Sequence, residues 1–234
     1  MLLFRHPVLI AAAVLPAIIL LLRIRQADRL EPEPPGLLLS LVVRGILATF
    51  LALLAERAGS FVLGILFPRS GLVYRLLLCF VVVGGAEEGA KYLLLKRRTW
   101  DSPSFDCQFD GVVYAAFVAL GFALWENIGY VLMYGLRTAL LRAVTAVPGH
   151  ACFGVFMGAF YGLARRYENL GEAAQSRRWR RWAFVLPALL HGCYDSIAMS
   201  HNGALSWIFV AFVLGVFAVA FTLVKRLAER DRYI

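Results

Sequence analysis

Hydrophobic residues in this chain come in runs, without the alternation expected of a half-buried strand or the stripe of a soluble amphipathic helix. Apolar segments cover residues 2–22, 37–67, 72–95, 108–134, 143–164, 183–200 and 204–224. Each is close to or beyond the ~20 residues that carry an α-helix across a bilayer. The second overshoots that length, which puts Arg44, Glu56 and Arg57 near its ends or snorkelling toward the interface. The pattern predicts an all-α polytopic membrane bundle of about seven transmembrane helices, forming one integral-membrane domain over residues 1–234.

Between the runs lie short polar connectors. "DRLEPEPPG", Asp28 to Gly36, is too rich in proline to continue a helix and reads as a stiff extended link between the first two spans. "KRRTWDSPSFDCQFDG" leads into the fourth span, and "ARRYENLGEAAQSRRWRRW" joins the fifth to the sixth, with Trp179 and Trp182 expected as interfacial anchors at headgroup level. No repeat of 20–50 residues and no low-complexity tract is present.

Composition agrees with the pattern: 61% of residues are hydrophobic and 17% charged, outside the range of ordinary soluble domains. The net charge of +9 is explained by where it falls. Sixteen of the 24 lysines and arginines lie in the loops after spans one, three and five and in the C-terminal tail; only Arg5, Arg69, Arg137 and Arg142 lie on the other side. By the positive-inside rule this predicts an outside N-terminus and a cytoplasmic C-terminus. The basic surplus is topological, so the bilayer is the partner it implies and nucleic acid is not. The basic "RIRQADR" follows the first apolar run instead of preceding it, which favours an uncleaved first span over a signal peptide. Cys79, Cys107, Cys152 and Cys193 form no CxxC pair and imply no disulfide framework.

The chemistry begins with "VVVGGAEEGAKYLLL", Val81 to Leu95, where Glu87, Glu88 and Lys91 interrupt an apolar span. An ionisable group at membrane depth costs at least ~2.5–3.5 kcal/mol and needs a partner, a wet cavity or a function. Spans four, five and six add Glu126 with Asn127, then His150, then His191 with Asp195. Each alone has a structural reading: an ion pair, a helix-bridging amide, a satisfied histidine. Together, on four successive helices, they point to one shared interior site. Glu87 and Lys91, four apart, share a helix face, while Glu88 points ~100° away. His191 and Asp195 have the same spacing, which lets the carboxylate orient the imidazole. His150 heads a row with Gly154, Gly158 and Gly162, small residues that let a neighbouring helix come close. Depths counted from the basic ends at ~1.5 Å per residue disagree, at ~13 Å for Glu87 and His191 against ~22–27 Å for Glu126 and His150. A break at "VPGH" would reduce that spread.

Cys152 and Cys193 each follow a histidine by two residues and so point to another helix face, which disfavours a cysteine nucleophile. Carboxylates and imidazoles without such a nucleophile suit hydrolysis by a water that a desolvated glutamate deprotonates. The same residue types suit a zinc hydrolase, although no HExxH is present. They also occur in the relays of proton-coupled transporters, against which stands the lack of an internal repeat.

Five segments in order resemble the PrsW-type intramembrane proteases of the CAAX-protease and glutamic intramembrane peptidase superfamily: "DRLEPEP"; the EExxK of Glu87, Glu88 and Lys91; "FDCQFDGVVYAAFVALGFALWENIGY"; and the histidine motifs "RAVTAVPGHACFGVFMG" and "LLHGCYD". The resemblance spans nearly the whole chain. It implies an endopeptidase of the bacterial cytoplasmic membrane that cuts a single-pass membrane protein, such as an anti-sigma factor. It further implies that Glu87 activates water with His150, that Glu88 and Glu126 support the site, and that His191 holds the oxyanion. Lys91 and Asn127 are supporting residues. Related prenyl-protein proteases carry asparagine where this chain has Asp195, and an ionised aspartate cannot donate to an oxyanion. Asp195 is therefore expected to orient His191 and keep it protonated, or else to join Glu87, Glu126, His150 and His191 around a zinc ion; the leading reading requires no metal. Scaffold subunits without catalysis also share this superfamily, so a noncatalytic scaffold stands beside the transporter as the alternative.

Overall fold

The structure is a computed structural model and describes residues 7–200 and 203–234; Arg5 and the start of the first predicted span lie outside the described residues. The helices are α1 (Pro7–Ala27), α2 (Pro35–Leu66), α3 (Leu72–Leu77), α4 (Gly84–Thr99), α5 (Asp110–Tyr134), α6 (Leu136–Val144), α7 (Ala146–Asn169), α8 (Ala173–Ala198) and α9 (Gly203–Glu229). A π-helical turn, Leu78–Val83, joins α3 to α4 in one rod, and α6 leads into α7 through Thr145 alone, so among the described residues the bundle has the seven rods the hydropathy predicts. Among the described residues, α1, α2, α5, the α6–α7 rod and α9 are long and apolar enough to cross a membrane. The other two rods carry Glu87, Glu88 and Lys91, and an arginine-rich half followed by His191.

The connector behaves as its prolines dictate: residues 28–34 are not helical and Pro35 opens α2. Gly171, at φ +77°, makes the turn from α7 into α8. Outward side chains are apolar, with Phe61 69%, Trp207 78% and Phe221 75% exposed, as lipid-facing positions require.

α5 is the axis, its residues from Asp110 to Ala123 all buried, with α1, α2, α4 and α7 packed around it. In lipid, helix association rests on close packing, which small residues permit. The glycine row of α7 performs as its spacing predicts. A Cβ at Gly154 would lie 2.7 Å from Ala119 Cβ, one at Gly158 would run into Gly111 and Val112, and one at Gly162 would overlap the Gln108 carbonyl, all on or beside α5. Gly158→Ala is therefore expected to destabilise the protein by about 1–3 kcal/mol, seen as a lower Tm in detergent; an unchanged Tm would show that the two helices are not in contact there. α4 and α8 cross equally closely, since a Cβ at Gly84 would sit 2.8 Å from the Ala188 carbonyl and 3.2 Å from the Gly192 nitrogen.

Three expectations shift. α8 begins at Ala173, ten residues before the predicted span, because "RRWRRW" is helical. His191 then lies ~27 Å along α8, level with Glu126 and His150 in their own helices, so its share of the depth disagreement disappears, while Glu87 stays ~18 Å from the end of α4. The break near His150 falls at Thr145, one residue before α7, while Pro148 sits in the first turn of α7 where its missing N–H is harmless. Trp179 faces inward, stacked on Phe160 at 5.6 Å, and only Trp182 points outward.

Candidate active site

The crossing of α4 and α8 at Gly84 and Gly192 sets Glu87 and Glu88, one turn further along α4, against His191. Lys91 lies at the centre. Its Nζ is 3.2 Å from Glu87 Oε2, 2.7 Å from Glu88 Oε1 and 3.2 Å from His150 Nδ1, and it rests 3.9 Å over the Phe122 ring. An ammonium has three hydrogens and no lone pair, so Lys91 donates to all three neighbours. His150 Nδ1 is thereby an acceptor, and its Nε2–H donates to Glu126 Oε2 at 3.0 Å. His191 donates Nδ1–H to Glu88 Oε1 at 2.9 Å, with Glu87 Oε2 at 3.8 Å. Its Nε2 lies 3.6 Å from Asp195 Oδ2, beyond a direct hydrogen bond.

The hydrogen bond that orients His191 thus comes from Glu88, on the next rod, and not from the residue four positions on. Glu88 also does not point away from Lys91. A lysine at i+3 from Glu88 and i+4 from Glu87 reaches both, and Glu88 makes the shorter contact.

A cavity of about 360 Å³ opens beside the cluster, lined among others by Glu56, Glu87, Glu126, His150, His191 and Asp195. A second, of about 290 Å³, shares Glu56, Glu87, Glu126 and Tyr130 and continues between α2 and α5 past Phe50, Trp125 and Met133. Glu88 lines neither; it is fully buried, and its Oε2 has no hydrogen-bond partner. The two adjacent glutamates therefore differ in kind: Glu87 faces the cavities and Glu88 faces the ions.

Glu87, Glu88, Lys91, Glu126, His150, His191 and Asp195 come together as their shared apolar setting predicts. Asn127 stands behind them, donating to the Ala13 carbonyl of α1 at 2.8 Å and accepting from Arg142 Nε at 2.9 Å. Arg142, read from sequence as a loop residue, also pairs Glu126 at 2.5 Å from α6. Glu56, read as snorkelling, is a half-buried wall of both cavities. The signal for Glu56 was the one used elsewhere, a carboxylate inside an apolar run. Arg142 gave none, because nothing in its local sequence shows that α6 folds back onto α5.

The profile of the family described as "PrsW family intramembrane metalloprotease" matches residues 33–224. The chain belongs to this family. Proteins named "Protease PrsW" resemble it over almost their full length: that of Geobacillus kaustophilus (strain HTA426) is 33% identical over 91% of this chain and 86% of the relative, and that of Bacillus subtilis (strain 168) 31% over 95% and 96%. That of Halalkalibacterium halodurans is 30% identical over 96% of this chain and 99% of the relative. No solved structure matches. Membership in the PrsW family makes the chain a multi-pass membrane-embedded peptidase and sets the transporter and scaffold readings aside.

The family description raises the question of a metal. Glu87, Glu88, His150 and His191 each offer a ligand atom within 4.8 Å of the others, and two carboxylates with two imidazoles form a donor set that suits zinc. The unpartnered Glu88 Oε2 is a further available donor. A metal in this PrsW family member would be held by those four residues, in competition with the Lys91 ammonium for Glu87, Glu88 and His150.

Proposed function

We propose that the chain cleaves a single-pass membrane protein, an anti-sigma factor being the type of substrate the family resemblance suggests, in a bacterial cytoplasmic membrane, with Glu87 as general base. The observation that carries this reading is the exposure of Glu87, and not of Glu88, to both cavities. A water in the larger cavity gives a proton to Glu87 as its oxygen attacks the scissile carbonyl carbon. The C–N bond then breaks, and the proton held by Glu87 passes to the leaving nitrogen. With Nδ1–H committed to Glu88, His191 presents Nε2 to the cavity, where its protonated form donates to the oxyanion. Asp195 Oδ2 lies 3.6 Å from that nitrogen, on the same cavity wall. His150 and Glu126 form the opposite wall, Glu126 being held in turn by Arg142. The four basic chain segments gather at the other end of the bundle, which is the cytoplasmic end if the positive-inside rule governs. The gap between α2 and α5 is the route by which a substrate segment in the bilayer reaches Glu87. A metal bound by the four donors would supply a water of lowered pKa and polarise the carbonyl.

The test is cleavage of candidate single-pass substrates by purified protein in liposomes, comparing wild type with His150→Ala, each with and without a strong chelator. Loss of cleavage in His150→Ala, with the fold retained by melting, is expected. Full activity in that variant would remove His150 from the site. Chelator-resistant cleavage by wild type supports the metal-free route, and reversible loss on chelation replaces it with the zinc one.

A further inference from the structure

At the opposite end of the bundle three distant stretches of chain meet: the 28–34 connector, the 104–110 segment entering α5, and the C-terminal tail. Cys107 pairs with Tyr233 in a short antiparallel bridge, and Gln108 N–H donates to the Arg232 carbonyl at 3.1 Å. Ile234 N–H donates to the Asp106 carbonyl at 2.7 Å. Asp110 Oδ2 accepts the backbone N–H groups of Asp106 at 3.1 Å and Cys107 at 2.7 Å, and Asp231 Oδ1 accepts that of Phe109 at 2.9 Å.

Six carboxylates collect here, those of Asp28, Glu31, Glu33, Asp106, Asp110 and Asp231, and none has an ion-pair partner among the described residues. That is unexpected in a chain of net charge +9. Asp28 and Glu33 are only 5% and 4% exposed, and Asp28 Oδ1 and Glu33 Oε2 are buried with no hydrogen-bond partner. The Tyr114 hydroxyl contacts both Glu33 Oε1 and the Ser104 carbonyl but has one proton for the two. Glu33 is therefore short of donors on at least one oxygen. Ligand atoms are already gathered: Cys107, Asp110 and Asp231 lie within 4.8 Å of one another, as do Glu31, Asp106 and Cys107. Buried charge of one sign calls for a counter-charge. Burial pushes Glu33 up to about 7 and Asp28 up to about 6. Without a cation, the folded state then loses stability as pH rises from the ordinary carboxylate range toward neutrality.

We propose that this acidic clasp is a divalent-cation site, distinct from the Glu/His cluster, which binds an oxygen-preferring ion of the Ca²⁺ or Mg²⁺ kind. Carboxylate oxygens outnumber the single thiol, which selects for a hard cation. Asp110 and Asp231 bind the ion directly, and Asp28 and Glu33 supply buried negative charge beside it. Its effect is to lock the α1–α2 connector, the entry to α5 and the tail after α9 into one unit.

The experiment is thermal unfolding of the purified full-length protein in detergent, stripped by chelation and titrated with Ca²⁺ and separately with Mg²⁺ at constant ionic strength. Wild type should show a saturable rise in Tm of several degrees, with a midpoint in the range of roughly 10⁻⁶ to 10⁻³ M. Glu33→Gln and Asp231→Asn should lose that rise. Glu33→Gln, which removes an uncompensated buried charge without changing shape, should melt no lower than wild type in the absence of ion. Glu87→Gln, at the other end of the bundle, should keep the full response. The proposal is overturned if wild type gives no saturable shift, or if the shift persists in Glu33→Gln and Asp231→Asn. It is also overturned if Glu87→Gln abolishes the shift, which would locate the ion in the Glu/His cluster. A Tm that climbs as pH is lowered from 8 to 6 but ignores both cations would show that protons alone neutralise the clasp, and would likewise overturn it.

Discussion

Glu87→Gln is expected to lower kcat/KM for a membrane-embedded substrate by about 10²–10⁴-fold, the usual contribution of a positioned general base. Glutamine keeps the shape of the side chain and an oxygen that still accepts from Lys91, so the bundle should fold and the loss should fall on kcat. Glu88→Gln is the informative companion. Glu88 is sealed from both cavities and bound to Lys91 at 2.7 Å and His191 at 2.9 Å, so its amide should cost stability first and rate second. Cleavage assays and melting curves on the two variants separate the roles. If Glu88→Gln were the dead enzyme of unchanged Tm, and Glu87→Gln the destabilised active one, the assignment of base and scaffold would be reversed.

The spans were legible because a bilayer imposes a length and a composition that no local detail overrides; from α1 to α9 the rods follow the apolar runs. Hydropathy failed at α8 because it sums residues and ignores faces. "RRWRRW" sums to a loop, yet its Arg180 lies 5.0 Å over the Trp100 ring while Trp179 stacks on Phe160, so the segment is an amphipathic helix with an occupied inner face.

The convergence at the candidate site was legible for the same reason that it is costly: ions in apolar runs stand out, and Glu87, Lys91, Glu126, His150 and His191 come together. The details that one helix at a time cannot supply were lost. Glu88 was assigned to another direction by its ~100° offset, but α8 approaches so closely at Gly84 and Gly192 that this direction also meets a partner, His191. Arg142 reaches Glu126 and Asn127 only because the chain turns back at Gly135, whose φ of +80° ends α5, and α6 then lies against α5 and α1. These are tertiary facts with no signature in residue spacing.

The second large effect concerns Lys91. Lys91→Met keeps an unbranched side chain against Phe122 but removes the cation shared by Glu87 and Glu88, leaving two buried carboxylates with His191 alone. Breaking a buried ion pair from one side costs about 3–5 kcal/mol, which for a chain of this size is a fall in Tm on the order of 10 °C. Adding Glu88→Gln to Lys91→Met should recover part of that loss, because the double variant removes the charge that was left unmatched. The variant also separates two ways of neutralising the cluster. If the Lys91 ammonium is the resident cation, Lys91→Met melts low whether or not zinc is supplied, and the Glu88→Gln rescue appears. If a metal carries that charge, Lys91→Met with zinc melts near wild type and a chelator brings it down, because the competitor for Glu87, Glu88 and His150 has been removed and the ion then binds them without opposition.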